Sequence, residues 1–207
     1  MSLFVDIGTG AGLASSTGVR PYLPPLLAGG LARGDVAIDF DGTDFSFLES
    51  TGFLAAVVVV GVAAFLLERS AANRRAGSTA GSPDGRPGFG PVEALAGLIG
   101  MALGALLFAG ALADNGHPVW IGLLFGPLCA VLAWIAVGGL VERVRARLEP
   151  DQAALLTIYA DAAALVLAAI ALFVPPLAFL AIPGFVVLLA GGRRREGEKY
   201  AGLRILR

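Results

Sequence analysis

The stretch VEALAGLIGMALGALLFAGALA (residues 92–113), the turn DNGHP (114–118) and the stretch VWIGLLFGPLCAVLAWIAVGGLV (119–141) together decide the fold. The two apolar runs hold 22 and 23 residues, and about 20 are enough to cross the ~30 Å hydrocarbon core of a bilayer. Over its 207 residues the chain is 57% hydrophobic and 15% charged, with a mean hydropathy of +0.79. In a soluble domain about a quarter of the residues are charged. The sequence therefore predicts an integral membrane protein.

Further apolar runs lie on both sides of this central pair and predict an all-α, polytopic transmembrane helix bundle of about six spans. The bundle forms a single integral membrane domain over residues 1–207. Residues 68–90 are rich in Gly, Ser, Pro and Arg, which predicts a flexible cytoplasmic loop. Residues 191–207 predict a basic cytoplasmic tail. The spans are expected near residues 3–32, 51–67, 92–113, 119–141, 153–173 and 177–190.

Arginine is concentrated in alternate connections between these runs. The connections after the second, fourth and sixth runs are basic, whereas those after the first, third and fifth are acidic or neutral. Because basic loops stay in the cytoplasm, this alternation predicts that both ends of the chain are cytoplasmic. Lys199 is the single lysine among 15 basic residues, a bias typical of GC-rich bacterial genomes. The predicted location is therefore a bacterial cytoplasmic membrane.

The first apolar stretch, residues 3–32, is too long for one straight helix across the bilayer. At 1.5 Å per residue it would measure ~45 Å. Pro21, Pro24 and Pro25 also break the helical hydrogen-bond ladder. We expect a helix, an irregular stretch near residues 17–25 and a second helix. The sequence leaves open whether this stretch crosses once or forms a re-entrant pair.

The connection after the first stretch, VAIDFDGTDFSFL (residues 36–48), alternates between apolar and polar residues around Asp41-Gly42. This pattern predicts a small extracytoplasmic β-hairpin that lies with its apolar face on the outer mouth of the bundle. The apolar positions of the alternation are Ile38, Phe40, Phe45 and Phe47.

Arg20 and Asp161 lie deep inside apolar stretches, where a charge costs about 2.5–3.5 kcal/mol and usually faces the bundle interior. Asp161 lies about eight residues into the fifth span, so ~12 Å from its cytoplasmic edge. Arg20 lies about twelve residues before the outer end of the first stretch, so ~18 Å from that edge. In a ~30 Å core these depths coincide. We therefore expect Arg20 and Asp161 to be partners, either in a transport pathway or as a purely structural ion pair.

Glu68 and Glu93 stand at the cytoplasmic ends of their spans and are further candidates for an ion pathway. The alternative is that each meets water or a neighbouring arginine. His117 in the outer turn has no second histidine with which to build a zinc site, so we expect no metal centre. No HExxH, Gly-x-Ser-x-Gly or paired-aspartate motif is present, and we expect neither catalytic residues nor a cofactor. A net charge of −1 argues against binding of nucleic acid.

Three segments resemble the DUF4126 family of bacterial multi-pass membrane proteins. They are GLASSTGVRPYLPPLLAGGLARG (residues 12–34), with its core at residues 18–25, LFAGALAD (107–114) and GRRREGEKYAGLRILR (192–207). The resemblance covers nearly the whole chain. It implies a membrane location and, because the family is of unknown function, no activity.

The leading functional prediction is a small transporter, channel or lipid translocase for a small or anionic substrate. Its site would lie between the broken first stretch and the fifth span, where Arg20 would contact the anion and Asp161 would be the titratable partner. The alternative is a non-catalytic assembly or structural subunit whose intramembrane charges only hold helices together. The expected partners are the bilayer and a small anionic solute or a lipid headgroup. A homo-oligomer is compatible with so small a bundle.

Overall fold

The computed structural model of the chain describes residues 2–76, 91–145, 148 and 150–201, and this part is helical without strands. A 3-10 turn at Ser46–Glu49 precedes α3, and the helix α7 has only four residues. The helices are α1 (Leu3–Val19), α2 (Leu23–Ala32), α3 (Thr51–Ala76), α4 (Pro91–Ala113), α5 (Val119–Arg145), α6 (Pro150–Phe173), α7 (Pro175–Ala178) and α8 (Ala181–Ala201).

Three of the described helices are long and apolar enough to cross a membrane, namely Ala94–Ala113 in α4, Val119–Arg145 in α5 and Leu155–Phe173 in α6. Shorter apolar helices cover Thr51–Leu67 and Pro175–Gly191. The prediction of an all-α transmembrane protein is thus supported by three helices, and the count of about six spans is not confirmed. The end of the bundle that holds the turn Asp114–Pro118 is called the turn end.

The stretch 3–32 forms a helical hairpin of α1 and α2. α1 begins at the turn end, where Asp6 lies 3.2 Å from His117. α1 then runs away from the turn end as far as Gly18, which contacts the backbone of Ala130. Ala130 lies eleven residues after the start of α5 and therefore ~16 Å from the turn end. α2 returns, and Gly29 packs against the backbone of Leu48, just before α3 starts. The two helices thus form a hairpin whose two ends both lie at the turn end, and the question of one span or a re-entrant pair in the bilayer is not tested.

The proline pattern explains where the hairpin turns. Arg20 has an extended backbone (φ −146°, ψ 109°), which is the conformation favoured for a residue before proline. Pro21 follows in the linker, whereas Pro24 and Pro25 lie in the first turn of α2, where backbone N–H groups have no helical partner to lose. The expected break near residues 17–25 is confirmed, and it is confined to residues 20–22 between the two helices.

Small residues allow α1 to lie against α4, α5 and α6 at very short distance. A Cβ atom added at Gly10 would lie within the ring of Phe108, and one at Gly12 would lie 2.5 Å from the Ala171 methyl group. Thr17 donates hydrogen bonds to Ala14 O (2.7 Å) within α1 and to Gly100 O (3.1 Å) of α4. Such close backbone approach is a usual means of helix association in membranes. These contacts fix the C-terminal end of α1, and hence Arg20, in the middle of the bundle.

The prediction that both chain ends are cytoplasmic is not tested, but the first and last described helices point to opposite ends of the bundle. α1 starts at the turn end, whereas α8 runs away from it alongside α5. Ile182 packs in the cluster that includes Ile121, and Phe185 packs farther along α5 against Ala133. The cause is the hairpin, because a segment that enters and leaves at the same end adds no crossing.

The expected β-hairpin is not confirmed. The described loop between α2 and α3 contains no strand, because Asp35, Ala37 and Gly42 have positive φ angles and interrupt any extended run. Its apolar side nevertheless packs on the bundle, with Phe40 completely buried against Gly110. Of the alternating apolar residues, Ile38, Phe40 and Phe45 are buried and Phe47 is exposed.

Of the predicted flexible loop 68–90, residues 68–76 are helical because α3 continues to Ala76. Residues 77–90 lie outside the described part of the chain, so the rest of this prediction is not tested. The predicted basic tail 191–207 is helical as far as Ala201, and residues 202–207 lie outside the described part.

Candidate functional site

An ion pair joins the turn of the helical hairpin to α6. Arg20 Nε lies 2.6 Å from Asp161 Oδ1, and the two side chains are 19% and 39% exposed. The structure therefore brings together the two residues that the depth argument paired. Asp161 lies twelve residues before the end of α6 at Phe173, so ~18 Å from the turn end. In a ~30 Å core this is close to the midplane.

A cavity of about 260 Å³ opens beside this ion pair, between α2, α3 and α6. Its polar groups are Arg20, Tyr22, Thr157 and Asp161, and they belong to the hairpin linker and α6. The wall from α2 and α3 is apolar throughout. That wall consists of Leu23, Leu26, Val57, Val58, Gly61, Val62 and Phe65.

The other predicted site residues separate into two groups. Pro24 and Pro25 are fully buried, and Pro21 packs near Gly100 of α4, so the prolines shape the hairpin turn and do not line the cavity. Glu68 and Glu93 belong to α3 and α4 by their backbone, but their side chains lie outside the described part of the chain. Their suggested role in an ion pathway is therefore not tested.

A second polar group, which the sequence did not predict as a site, lies at the turn end. The Asp6 side chain is 4% exposed, and its Oδ1 accepts a hydrogen bond of 3.1 Å from Asn115 Nδ2. Its Oδ2 lies 3.2 Å from His117 Nε2. The pKa of the Asp114 carboxyl is raised, first by burial and then by the negative charges of Asp39 and Asp6. An aspartate inside the first apolar stretch is the sequence signal for this cluster, and it is the same signal that identified Asp161.

The loop above the bundle holds an acidic cluster of Asp39, Asp41 and Glu49, each with a carboxylate oxygen within 4.8 Å of the others. Partial burial raises the pKa of Glu49 to about 7, and a hydrogen bond and the charge of Asp41 act in the same direction. Carboxylate oxygens are ligands for hard cations such as Ca²⁺. Exposed acidic groups of this kind also occur without a bound ion, and the cluster is not connected to the cavity at Arg20.

Comparison of the chain with protein-family models, with curated proteins and with solved structures finds no match. The resemblance to the DUF4126 family accordingly stays a prediction. What the protein does has to be inferred from the geometry of its own residues.

Proposed function

We propose that this protein is a small membrane transporter or lipid translocase for an anionic substrate, and that the cavity beside Arg20 and Asp161 is its binding site. The observation that carries the proposal is the ion pair at mid-depth, held where the helical hairpin turns. Secondary transporters bind their substrates near the midplane, beside interrupted helices. Ionisable side chains at this depth are rare and usually functional.

The chemistry of the pair suits an anion. A guanidinium group presents several N–H donors in a planar fork and stays protonated at any physiological pH. In this structure the carboxylate of Asp161 forms an ion pair with Arg20 Nε. An anionic substrate would therefore compete with Asp161 for Arg20, and this competition gives the site two states, one with the internal carboxylate bound and one with the substrate bound.

We further propose that the protein resides in a bacterial cytoplasmic membrane with its turn end facing outward. The end of α5 opposite the turn end carries Arg143 and Arg145, and α8 runs toward the same side with the sequence Arg193–Arg195. The positive-inside rule assigns such an end to the cytoplasm. In this orientation the start of α1 is extracytoplasmic and the end of α8 is cytoplasmic.

A second candidate function is that of a structural or assembly subunit whose ion pair only holds the hairpin against α6. This structural role is favoured by the ion pair itself, because the charges of Arg20 and Asp161 neutralise each other without a ligand. Buried ion pairs can often be replaced by apolar residues of similar volume without loss of stability. The double variant Arg20→Met/Asp161→Leu therefore separates the two candidates.

The test is a flux assay in proteoliposomes, with a panel of anions outside and a pH-sensitive dye inside. We expect flux with the unchanged protein, loss of flux in Asp161→Asn and in the double apolar variant, and normal flux in the control Val59→Ala. Val59 is 67% exposed on α3 and does not line the cavity. Vesicles that are as tight as protein-free liposomes for every substrate, lipids included, would reject transport. A full biological function of the double apolar variant would establish the structural role.

A further inference from the structure

The cavity is partly open to the outside of the bundle along α3. Its outer lip consists of Val58, Val62 and Phe65 of α3, whose side chains are about half exposed, at 47%, 54% and 51%. Asp161, which also lines the cavity, is 39% exposed. At this depth an integral membrane protein is surrounded by acyl chains. A molecule that enters through this opening comes from the lipid phase.

The lining specifies the chemistry of that molecule. One wall is apolar along α2 and α3, and the cationic group is confined to one end. An amphiphile fits this division, with its chain along α3 and its head at Arg20. The group that pairs with Arg20 in this structure is a carboxylate, so a carboxylate head group can make the same contact. A single guanidinium balances one negative charge, which favours a monoanionic head over a phosphate monoester.

We propose that the site binds a single-chain monoanionic amphiphile of the long-chain carboxylate type, taken from the bilayer, in exchange for Asp161. This inference rests on the proposed function and names its substrate class. When the carboxylate head pairs with Arg20, Asp161 loses its counter-ion at mid-depth, where an unpaired charge is unfavourable. Asp161 therefore takes up one proton, and the total charge of the site is conserved.

Among the described residues that line the cavity, Asp161 is the only carboxylic acid. Arg20 and Tyr22 are the ionisable side chains that share the cavity with Asp161. Neither α2 nor residues 51–67 of α3 contain an ionisable residue. The proton uptake is therefore assigned to Asp161.

The test begins with binding of tritiated palmitate to the full chain in nanodiscs of neutral lipid, with hexadecanol as the uncharged competitor. Val58→Trp fills the cavity, and Val59→Trp places the same bulk on the neighbouring position of α3 that does not line it. We expect Val58→Trp to weaken palmitate binding about tenfold or more, and Val59→Trp to leave it within about twofold. Hexadecanol should compete poorly.

Proton uptake is counted with hexadecanesulfonate, whose head group stays ionised and so releases no proton of its own. Calorimetric titrations in two buffers with different heats of ionisation give the number of protons bound per probe. We expect about one proton for the unchanged protein and about none for Asp161→Asn, as linkage between binding and protonation requires. Asp161→Asn should still bind the sulfonate, because the neutral asparagine competes less strongly than a carboxylate for Arg20.

Several outcomes would overturn the inference. They are equal binding of palmitate and hexadecanol, equal effects of the two tryptophan variants, or stronger competition by dioleoyl phosphatidylglycerol than by palmitate, which would identify a two-chain lipid as the occupant. Flux of a small water-soluble anion without palmitate binding rejects the inference and keeps the proposed function. Palmitate binding with proton uptake but without flux keeps the site and rejects transport.

Discussion

The close crossing of α1 over α5 leads to a prediction in which the same substitution has opposite effects at two positions. Gly18 lies where α1 meets α5, and a Cβ atom added there would be 2.1 Å from the Ala130 carbonyl oxygen. Ordinary van der Waals contact begins near 3.4 Å, so Gly18→Ala forces the two backbones apart by more than 1 Å. Gly30 on α2 has no atom within 4 Å of the same added Cβ. Gly30→Ala is therefore the matched control.

The magnitudes follow from two terms. Both glycines are helical, so alanine brings each about 0.5–1 kcal/mol of stability through lower conformational freedom in the unfolded chain. At Gly18 the overpacking adds an unfavourable term of about 1–3 kcal/mol, because the opposing atoms belong to backbone and cannot rotate away. The common term cancels in the comparison. We expect Gly18→Ala to be less stable than Gly30→Ala by about 1–3 kcal/mol.

The assay is reversible unfolding in mixed micelles of dodecyl maltoside and SDS, followed by tryptophan fluorescence. Gly18→Ala should also weaken palmitate binding, since Gly18 lies two residues before Arg20 and its displacement moves the guanidinium away from the cavity. If Gly18→Ala proves as stable as Gly30→Ala, then α1 does not approach α5 as described. The hairpin geometry would have to be abandoned with it.

Three more predictions concern the charged groups. A double-mutant cycle of Arg20→Met and Asp161→Leu should give a coupling energy of about 0.5–3 kcal/mol in unfolding experiments, and zero coupling would contradict the ion pair. Asp6→Ala should lower stability by about 1–3 kcal/mol, because Asn115 loses its buried acceptor, and unchanged unfolding would show that the contact at the turn end contributes nothing. The pKa of Glu49 is raised from 4.5 to about 7 in the folded state, so stability should fall as the pH rises between these values, and Glu49→Gln should flatten that dependence in thermal unfolding.

The positions of the helices could be read from the sequence because apolar length and proline placement act locally. The helices α3 to α6 begin within three residues of the predicted starts, and the break in the first stretch falls at Pro21. The ion pair between Arg20 and Asp161 could also be anticipated, since a charge in hydrocarbon needs a partner at its own depth. These inferences require only that each residue has a defined depth along its own segment.

The tertiary structure decided what depends on how segments lie against each other. A proline break of the same composition permits a kinked span or a hairpin, and the contact of Gly29 on α2 with Leu48, which itself packs on Gly110 near the turn end, selects the hairpin. The loop after α2 has the alternation of a hairpin strand pair, but it folds without strands because its apolar residues pack directly on α4. The sequence by itself determined a membrane-embedded helical chain and its paired charges, since burial preference acts on each segment separately. Chain direction, the shape of the cavity and the side from which it opens depend on packing between segments, which no single segment encodes.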